Sequence, residues 1–239
     1  MRAILLAAGF GTRLRPLTDN IPKCLVPIRG EPLLNIWLDK LVRTDLLPVL
    51  INTHYLPQQV ASFVESSSHR NYVTLVYEPE LLGTAGTLRA NLDFYQGQDG
   101  LLIHSDNLCQ QNLHDLVVAH HQRPPECLLT MLTFRADTPS ACGIVEIDAR
   151  GVVVGYHEKV STPPGNLANG AVYILSAEFI NKFLLNFETP KDFSADVLPL
   201  LIGRIYTFKT SELFLDVGTP NAYARANSEW RSSFAQCSA

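Results

Sequence analysis

Ile4-Leu5-Leu6-Ala7-Ala8-Gly9-Phe10-Gly11-Thr12-Arg13-Leu14-Arg15-Pro16-Leu17-Thr18, followed closely by Pro22-Lys23, is the stretch that decides the reading. An apolar strand, expected over Ala3–Ala8, feeds a tight Gly-x-Gly turn, then two arginines and a lysine. Such a turn presents bare backbone N–H groups and positive charge to a polyphosphate. It is not the dinucleotide-binding loop, because Leu14 stands where the third glycine is required. It is not a Walker loop either, since Leu14-Arg15-Pro16 replaces Gly-Lys-Ser/Thr. Pro16 ends any helix begun at Gly11 within its first turn, so the loop does not open a long helix.

The chain has 239 residues, 46% of them hydrophobic, which suits an ordinary globular α/β protein. Its net charge of −4 argues against nucleic acid or an anionic membrane as the main partner. Any positive charge that function needs is therefore local, as at Arg13, Arg15 and Lys23. No apolar run approaches the roughly 20 residues of a membrane span. Met1-Arg2 leads straight into the motif-bearing strand, so the expectation is a chain without a removable signal peptide. Five scattered cysteines without a C-x-x-C pair read as reduced thiols in a cytoplasmic protein. His120-His121, on a helix expected over Leu113–Gln122, read as surface residues. The oligomeric state is not legible, and a homo-oligomer stays open.

Short apolar runs alternate with amphipathic stretches through the first half. Strands are expected at Pro48–Asn52, Val73–Tyr77 and Leu101–His104, and helices at Leu33–Val42, Gln58–Val64 and Thr84–Leu92. This alternation implies a Rossmann-like, mostly parallel sheet flanked by helices. Ligands of open α/β sheets sit at the carboxyl ends of the strands. Gly9–Arg13, Glu78–Gly86 and Ser105–Asn107 all follow strands, so they are expected along one cleft.

The second half changes character. Close-spaced strands are expected at Cys127–Phe134, Gly143–Asp148, Val152–Glu158 and Ala171–Ile174, with a hairpin turn at Asp148–Gly151. They suggest a small antiparallel lobe packed on the first sheet. A helix is expected at Ala177–Asn186, strands at Ile205–Phe208 and Leu213–Val217, and a closing helix at Pro220–Trp230. No linker is visible. The chain reads as a single domain, with residues 1–125 as one half and 126–239 as the other.

Three further segments carry chemistry. Glu78-Pro79-Glu80-Leu81-Leu82-Gly83-Thr84-Ala85-Gly86 puts small residues at a helix start, where Thr84 can act as a cap. Leu101-Leu102-Ile103-His104-Ser105-Asp106 ends a strand on a carboxylate, and Phe214-Leu215-Asp216-Val217-Gly218-Thr219-Pro220 places a second. Glu158-Lys159 closes another strand, and Asn169-Gly170-Ala171-Val172-Tyr173 follows.

The N-terminal segment resembles, along its whole length, the signature of the sugar-phosphate nucleotidyltransferases, L-A-A-G-x-G-T-R-L-x-P-L-T and then P-K. The later segments are similar to that family's L-G-T-A-G, G-D, E-K and D-V/I-G-T-P elements, and the resemblance runs from Ala3 to about Tyr223. It implies that Leu6, Ala7, Ala8, Gly9, Gly11, Thr12, Arg13, Glu78, Gly83 and Thr84 bind the nucleotide. By the same match, Arg13 and Lys23 are catalytic, stabilising the charge that develops on the phosphates. Lys23, Gly143, Glu158, Lys159 and Asn169 would hold the sugar phosphate, forming the sugar-binding half. Asp106 and Asp216 would hold Mg²⁺. The implied partners are a nucleoside triphosphate and a sugar 1-phosphate.

The Leu82–Gly86 element favours GTP, with mannose-1-phosphate or a heptose-1-phosphate. UTP or dTTP with a hexose- or amino-sugar-1-phosphate is the alternative, and a non-catalytic nucleotide-sugar sensor is another. Two departures stand out. His104-Ser105 replaces the family's usual Asn-Gly, and Cys142 occupies a position where many members have tyrosine. The first bears on the local backbone geometry at Asp106, and from the second sugar specificity is expected to depart from the commonest members. Only about twenty residues follow Thr219, so the C-terminal β-helix domain of many relatives is not expected.

Overall fold

The computed structural model describes residues 1–186 and 190–231. The tail from Arg231 onward therefore lies, apart from Arg231 itself, outside the described residues. In chain order the elements are β1 (Arg2–Leu6), β2 (Pro27–Ile28), β3 (Glu31–Pro32), α1 (Leu33–Arg43), β4 (Val49–Thr53), α2 (Pro57–Ser66), β5 (Val73–Tyr77), α3 (Gly83–Ala90), β6 (Gly100–His104) and β7 (Asn107–Cys109). There follow α4 (Leu113–His121), β8 (Leu129–Arg135), β9 (Gly143–Ile147), β10 (Val153–Glu158), β11 (Leu167–Leu175), β12 (Ile205–Lys209), β13 (Phe214–Asp216) and α5 (Pro220–Glu229).

One nine-stranded mixed sheet organises these elements, in the order β10-β9-β11-β6-β1-β4-β5, with β8 against β11 and β12 beyond β8. β6, β1, β4 and β5 run parallel, as the strand–helix alternation requires. The antiparallel strands do not pack on this sheet. They extend it, because β11 hydrogen-bonds directly to β6, from Val172↔Ile103 to Leu175↔Gly100. The two halves of the chain thus share one backbone ladder.

β1 is short and its centre is fully buried, with Ala3, Ile4 and Leu5 at 0% exposure. Such near-continuous apolar strands belong between helices on both faces of a parallel sheet. The strand ends at Leu6, two residues before the apolar run does. Ala7 leaves the ladder because its N–H is taken by the Asn52 side chain at 2.8 Å. α1 buries Leu34, Trp37, Leu38 and Leu41 against the sheet, matching their helical spacing. Burying each such side chain contributes about 1.5–3 kcal/mol. The chain is helical over Ala177–Asn186 as expected, but irregularly: it widens into a π turn at Phe179–Phe183 and closes with a 3₁₀ turn at Leu184–Asn186.

His120 corrects an expectation. It is fully buried, and its Nδ1 lies 2.8 Å from the Thr130 hydroxyl. α4 packs against β8, so the helix face carrying His120 has no access to water. Among the described residues no helix is long and apolar enough to cross a membrane. The four described cysteines are free thiols.

Candidate active site

The phosphate-type loop folds as the proline predicted. After β1 it makes one turn of 3₁₀ helix, Thr12–Leu14, and then breaks at Arg15-Pro16. Gly11 sits at φ 64°, and a Cβ there would press on Thr18 and Lys23, so glycine is required. The Thr18 hydroxyl donates to the Gly11 carbonyl at 2.8 Å, and Tyr55 donates to the carbonyls of Thr18 and Asp19. These bonds pin the loop to the rest of the domain. Arg13 faces the cleft, whereas Arg15 turns to Asp19, 3.2 Å away.

Four charged side chains from distant parts of the chain meet beyond this loop. The Lys23 ammonium lies 2.7 Å from Asp106 Oδ2 and 3.3 Å from Asp216 Oδ1. Arg13 Nη2 lies 3.3 Å from Asp216 Oδ2. Two strands bring the aspartates together. β13 pairs antiparallel with β7 in the register Asp216↔Asn107, and the Val217 N–H donates to the Asp106 carbonyl. Ser105 then ties this corner to the end of β1, where the N-terminal loop begins, since its N–H and its hydroxyl both donate to the Leu6 carbonyl. The serine that replaces the family's glycine is thus a brace, and it leaves Asp106 aimed into the cleft.

Burial pushes the Asp106 carboxyl up, but the charge and hydrogen bond of Lys23, with His104 nearby, together outweigh it and hold it below the usual carboxylate range. Lys23 itself is 9% exposed, while the two carboxylates keep 37% and 49% of their surface. Both carboxylates therefore remain open to a ligand from the solvent side.

Two cavities adjoin this cluster. The larger, about 630 Å³, is lined by Arg13, Asp106, Asp216, Gly143, Glu158, Lys159 and Asn169 among others. All of the residues expected to hold sugar phosphate, apart from Lys23, line it. The smaller, about 230 Å³ and mostly apolar, is lined by Leu6, Ala8, Gly9, Glu78, Gly83 and Thr84 with Asn52 and Thr87. Ala7, Gly11 and Thr12 lie behind or beside these walls and do not line either. His104, Asp106 and Thr84 line both cavities and so mark their seam.

Glu78 is 3% exposed and held from three directions. Its Oε1 accepts from Thr87 at 2.6 Å and from Asn52 at 3.0 Å, and its Oε2 accepts from the Leu82 N–H at 3.3 Å. Asn52 was not singled out in the sequence; a polar residue ending an apolar strand was its only signal. In the larger cavity, Tyr156 donates to Glu158 Oε2 at 2.5 Å and Lys159 meets Oε1 at 3.1 Å. Asn169 sits beside a break in the β11–β8 register, donating to Tyr173 at 2.7 Å and accepting from the Ala171 N–H. At Gly143 the Tyr156 hydroxyl and the Glu158 carboxylate occupy the space a Cβ would take, so a larger residue would displace both side-chain ends. Tyr156, Asp192 and Ser194 carried no sequence signal of their own.

His104 is the seam's unusual member. Burial lowers its proton affinity, and its Nε2 is buried without a partner. Thr84 does not cap α3. Its hydroxyl accepts instead from the Phe193 N–H at 2.7 Å.

Fold and cleft together define an α/β protein whose strand ends gather cations and paired carboxylates around a phosphate-sized space. The chain belongs to the nucleotidyl transferase family, whose model matches residues 2–233. It is 29% identical over 95% of its length to a Sulfolobus acidocaldarius protein that carries the name of a mannose-1-phosphate guanyltransferase. It is 28% identical, again over 95%, to the glucose-1-phosphate adenylyltransferase of Thermotoga maritima. It spans 62% and 60% of those two relatives' lengths. HddC of Yersinia pseudotuberculosis, solved with GMP-PN, shares the fold at a TM-score of 0.79 and 24% identity, over 96% of this chain and 99% of that one.

Proposed function

We propose that the protein transfers a nucleotidyl group from a nucleoside triphosphate to a sugar 1-phosphate, releasing pyrophosphate. The observation that carries this reading is the Lys23 ammonium held between Asp106 and Asp216, with Arg13 on the outer carboxylate, where the two cavities meet.

In this reading the base occupies the smaller cavity and the sugar the larger. An oxygen of the sugar phosphate attacks the α-phosphorus in line, the bond to the β-phosphate bridge breaks, and pyrophosphate leaves with the electron pair. Little covalent chemistry falls to the protein, so its contribution is positioning and charge stabilisation. Lys23 can donate to the phosphate oxygens from a fixed position, because its stem is buried. Arg13, 64% exposed and paired with Asp216 among the described residues, can swing onto the β- and γ-phosphates. Glu158 and Asn169, each fixed by neighbouring hydroxyls, offer hydrogen bonds to the sugar.

Asp106 and Asp216 fit a Mg²⁺ ion. Both already converge on one cation, and a hard ion that keeps waters and phosphate oxygens needs only one or two carboxylates. When bound, Mg²⁺ would neutralise charge on the phosphates.

Among nucleotides, GTP is the best match. Guanine presents adjacent N1–H and N2–H donors, complementary to carboxyl oxygens, and Glu78 Oε2 has acceptor capacity beyond its bond to Leu82. The acceptor sugar is mannose-1-phosphate or a heptose-1-phosphate, and the cleft of about 630 Å³ has room for either. Pyrophosphate release across GTP, UTP, dTTP, CTP and ATP, each paired with a panel of sugar 1-phosphates, tests this directly. Release with GTP and one of these sugars is expected. Nucleotide binding without release from any pair would replace transfer with a sensing role.

A further inference from the structure

The L-G-T-A-G element is wired to the sugar cavity as well as to the base cavity. Gly83 has φ 77°, and a Cβ there would overlap the Lys191 carbonyl oxygen. The Ala85 N–H donates to that same carbonyl at 3.0 Å. Next to it, the Thr84 hydroxyl accepts from the Phe193 N–H at 2.7 Å. The small residues at 83–85 are thus explained by the close approach of a second strap of chain, Lys191–Ser194.

That strap is fixed at several points. The Asp196 carboxylate accepts from the N–H groups of both Lys191 and Asp192, at 2.8 and 2.9 Å. The Phe193 ring is fully buried, 4.9 Å from the Tyr173 ring centre. Ser194 then lines the sugar cavity, where Asn169 donates to its hydroxyl at 3.4 Å. A path therefore runs from Thr84, through the Phe193 backbone, to Ser194 and on to Asn169 through the longer contact.

Resting on the proposed transfer reaction, we infer that Thr84 is a positioning residue for the sugar phosphate, acting through Phe193 and Ser194 rather than by contact with the base. Its hydroxyl oxygen is committed to a backbone donor. Removing that acceptor would leave the Phe193 N–H unpaired in a partly buried place, which the strap can relieve only by moving. Ser194 moves with it, and Asn169 loses the partner that helps to aim its amide. The base cavity keeps its other walls, because Leu6, Ala8, Asn52 and Glu78 are not bonded to the strap.

Steady-state kinetics with the wild type's best nucleotide and sugar-phosphate pair separate the outcomes. Thr84→Val, close in shape but without the acceptor, is expected to raise the KM for the sugar phosphate about tenfold while the nucleotide KM stays within about twofold. Thr84→Ser keeps the oxygen and should recover most of the loss. Ser194→Ala should show the same sugar-only signature. The double variant Thr84→Val/Ser194→Ala should cost less than the product of the two single effects, because both act along one path.

A rise in the nucleotide KM alone would make Thr84 a base contact and overturn the inference. So would unchanged kinetics in Thr84→Val, or losses in both KM values that serine does not rescue. A wild type inactive with every pair would instead remove the transfer reading on which the inference stands.

Discussion

Replacing Lys23 by methionine keeps most of the side chain's length and removes its charge. In the fold, the ammonium sits 2.7 Å from one carboxylate and 3.3 Å from another, with 9% of its side chain exposed. Breaking a fully buried ion pair costs about 3–5 kcal/mol, because the partner is left unpaired. Here both partners are open to water, at 37% and 49%, so screening reduces the cost to about 1–2 kcal/mol. For a chain of this size that lowers Tm by roughly 2–8 °C. The rate should suffer far more, since losing one preorganised donor at developing charge costs about 10²–10³ in kcat. Lys23→Met is therefore expected to fold, to melt a few degrees lower, and to release pyrophosphate at least about 100-fold more slowly. Mg²⁺ should raise its Tm more than it raises the wild type's, because the metal no longer competes with an ammonium for the two aspartates. A variant that keeps more than a tenth of wild-type kcat, or whose Tm ignores Mg²⁺, would refute the role given to this cluster.

Three other perturbations address separate parts of the site and core. Asp106→Asn and Asp216→Asn should each cut turnover at least about 100-fold and abolish the Mg²⁺-dependent Tm shift; full activity in both would remove the metal assignment. Gly83→Ala combines a left-handed backbone with overlap on the Lys191 carbonyl, so urea unfolding should show a loss of about 2–4 kcal/mol. An unchanged midpoint would mean that the strap is not tightly docked. His120 is buried so that its neutral form is favoured, and its folded proton affinity lies below that of the unfolded chain. Its contribution is present above about pH 6.5 and is lost as pH falls from there through the lower folded value. Tm should therefore drop between pH 7 and pH 5, and His120→Gln should flatten that drop despite the facing Asp99 carboxylate 3.4 Å away.

The first half of the fold was legible because its signals are local. The apolar run Val73–Tyr77 coincides with β5 residue for residue, and the periodic segment of Leu34, Trp37, Leu38 and Leu41 ends one residue short of α1. Errors arose where a distant partner decides the local geometry. β1 stops early because Asn52, 45 residues away, takes the Ala7 N–H. β11 runs from Leu167 rather than Ala171, because strands on both sides supply partners that periodicity cannot reveal. The His120 side chain is buried because β8 happens to lie beneath its helix, and a pair of adjacent histidines carries no sign of that. The charged residues of the site were visible as motifs. Their supporting hydroxyls, on Tyr156, Thr87 and Ser194, were not, since a lone hydroxyl has no pattern until the fold gives it a neighbour.

The arrangement explains why the two halves of the chain form one sheet rather than two stacked layers. Asp106 follows β6 and Asp216 ends β13, 110 positions apart in sequence. Their carboxylates must come within reach of one ammonium. A hinge between separately packed layers would let that spacing vary by more than the roughly 0.5 Å that a charged site tolerates. Pairing β11 directly with β6 puts Asn169 on the same ladder as the strand leading to Asp106. Pairing β13 with β7 fixes Asp216 against Asn107. Backbone hydrogen bonds thus set the distances between the groups assigned to the sugar, the metal and the phosphates. The loops between those strands remain available to vary the ligand.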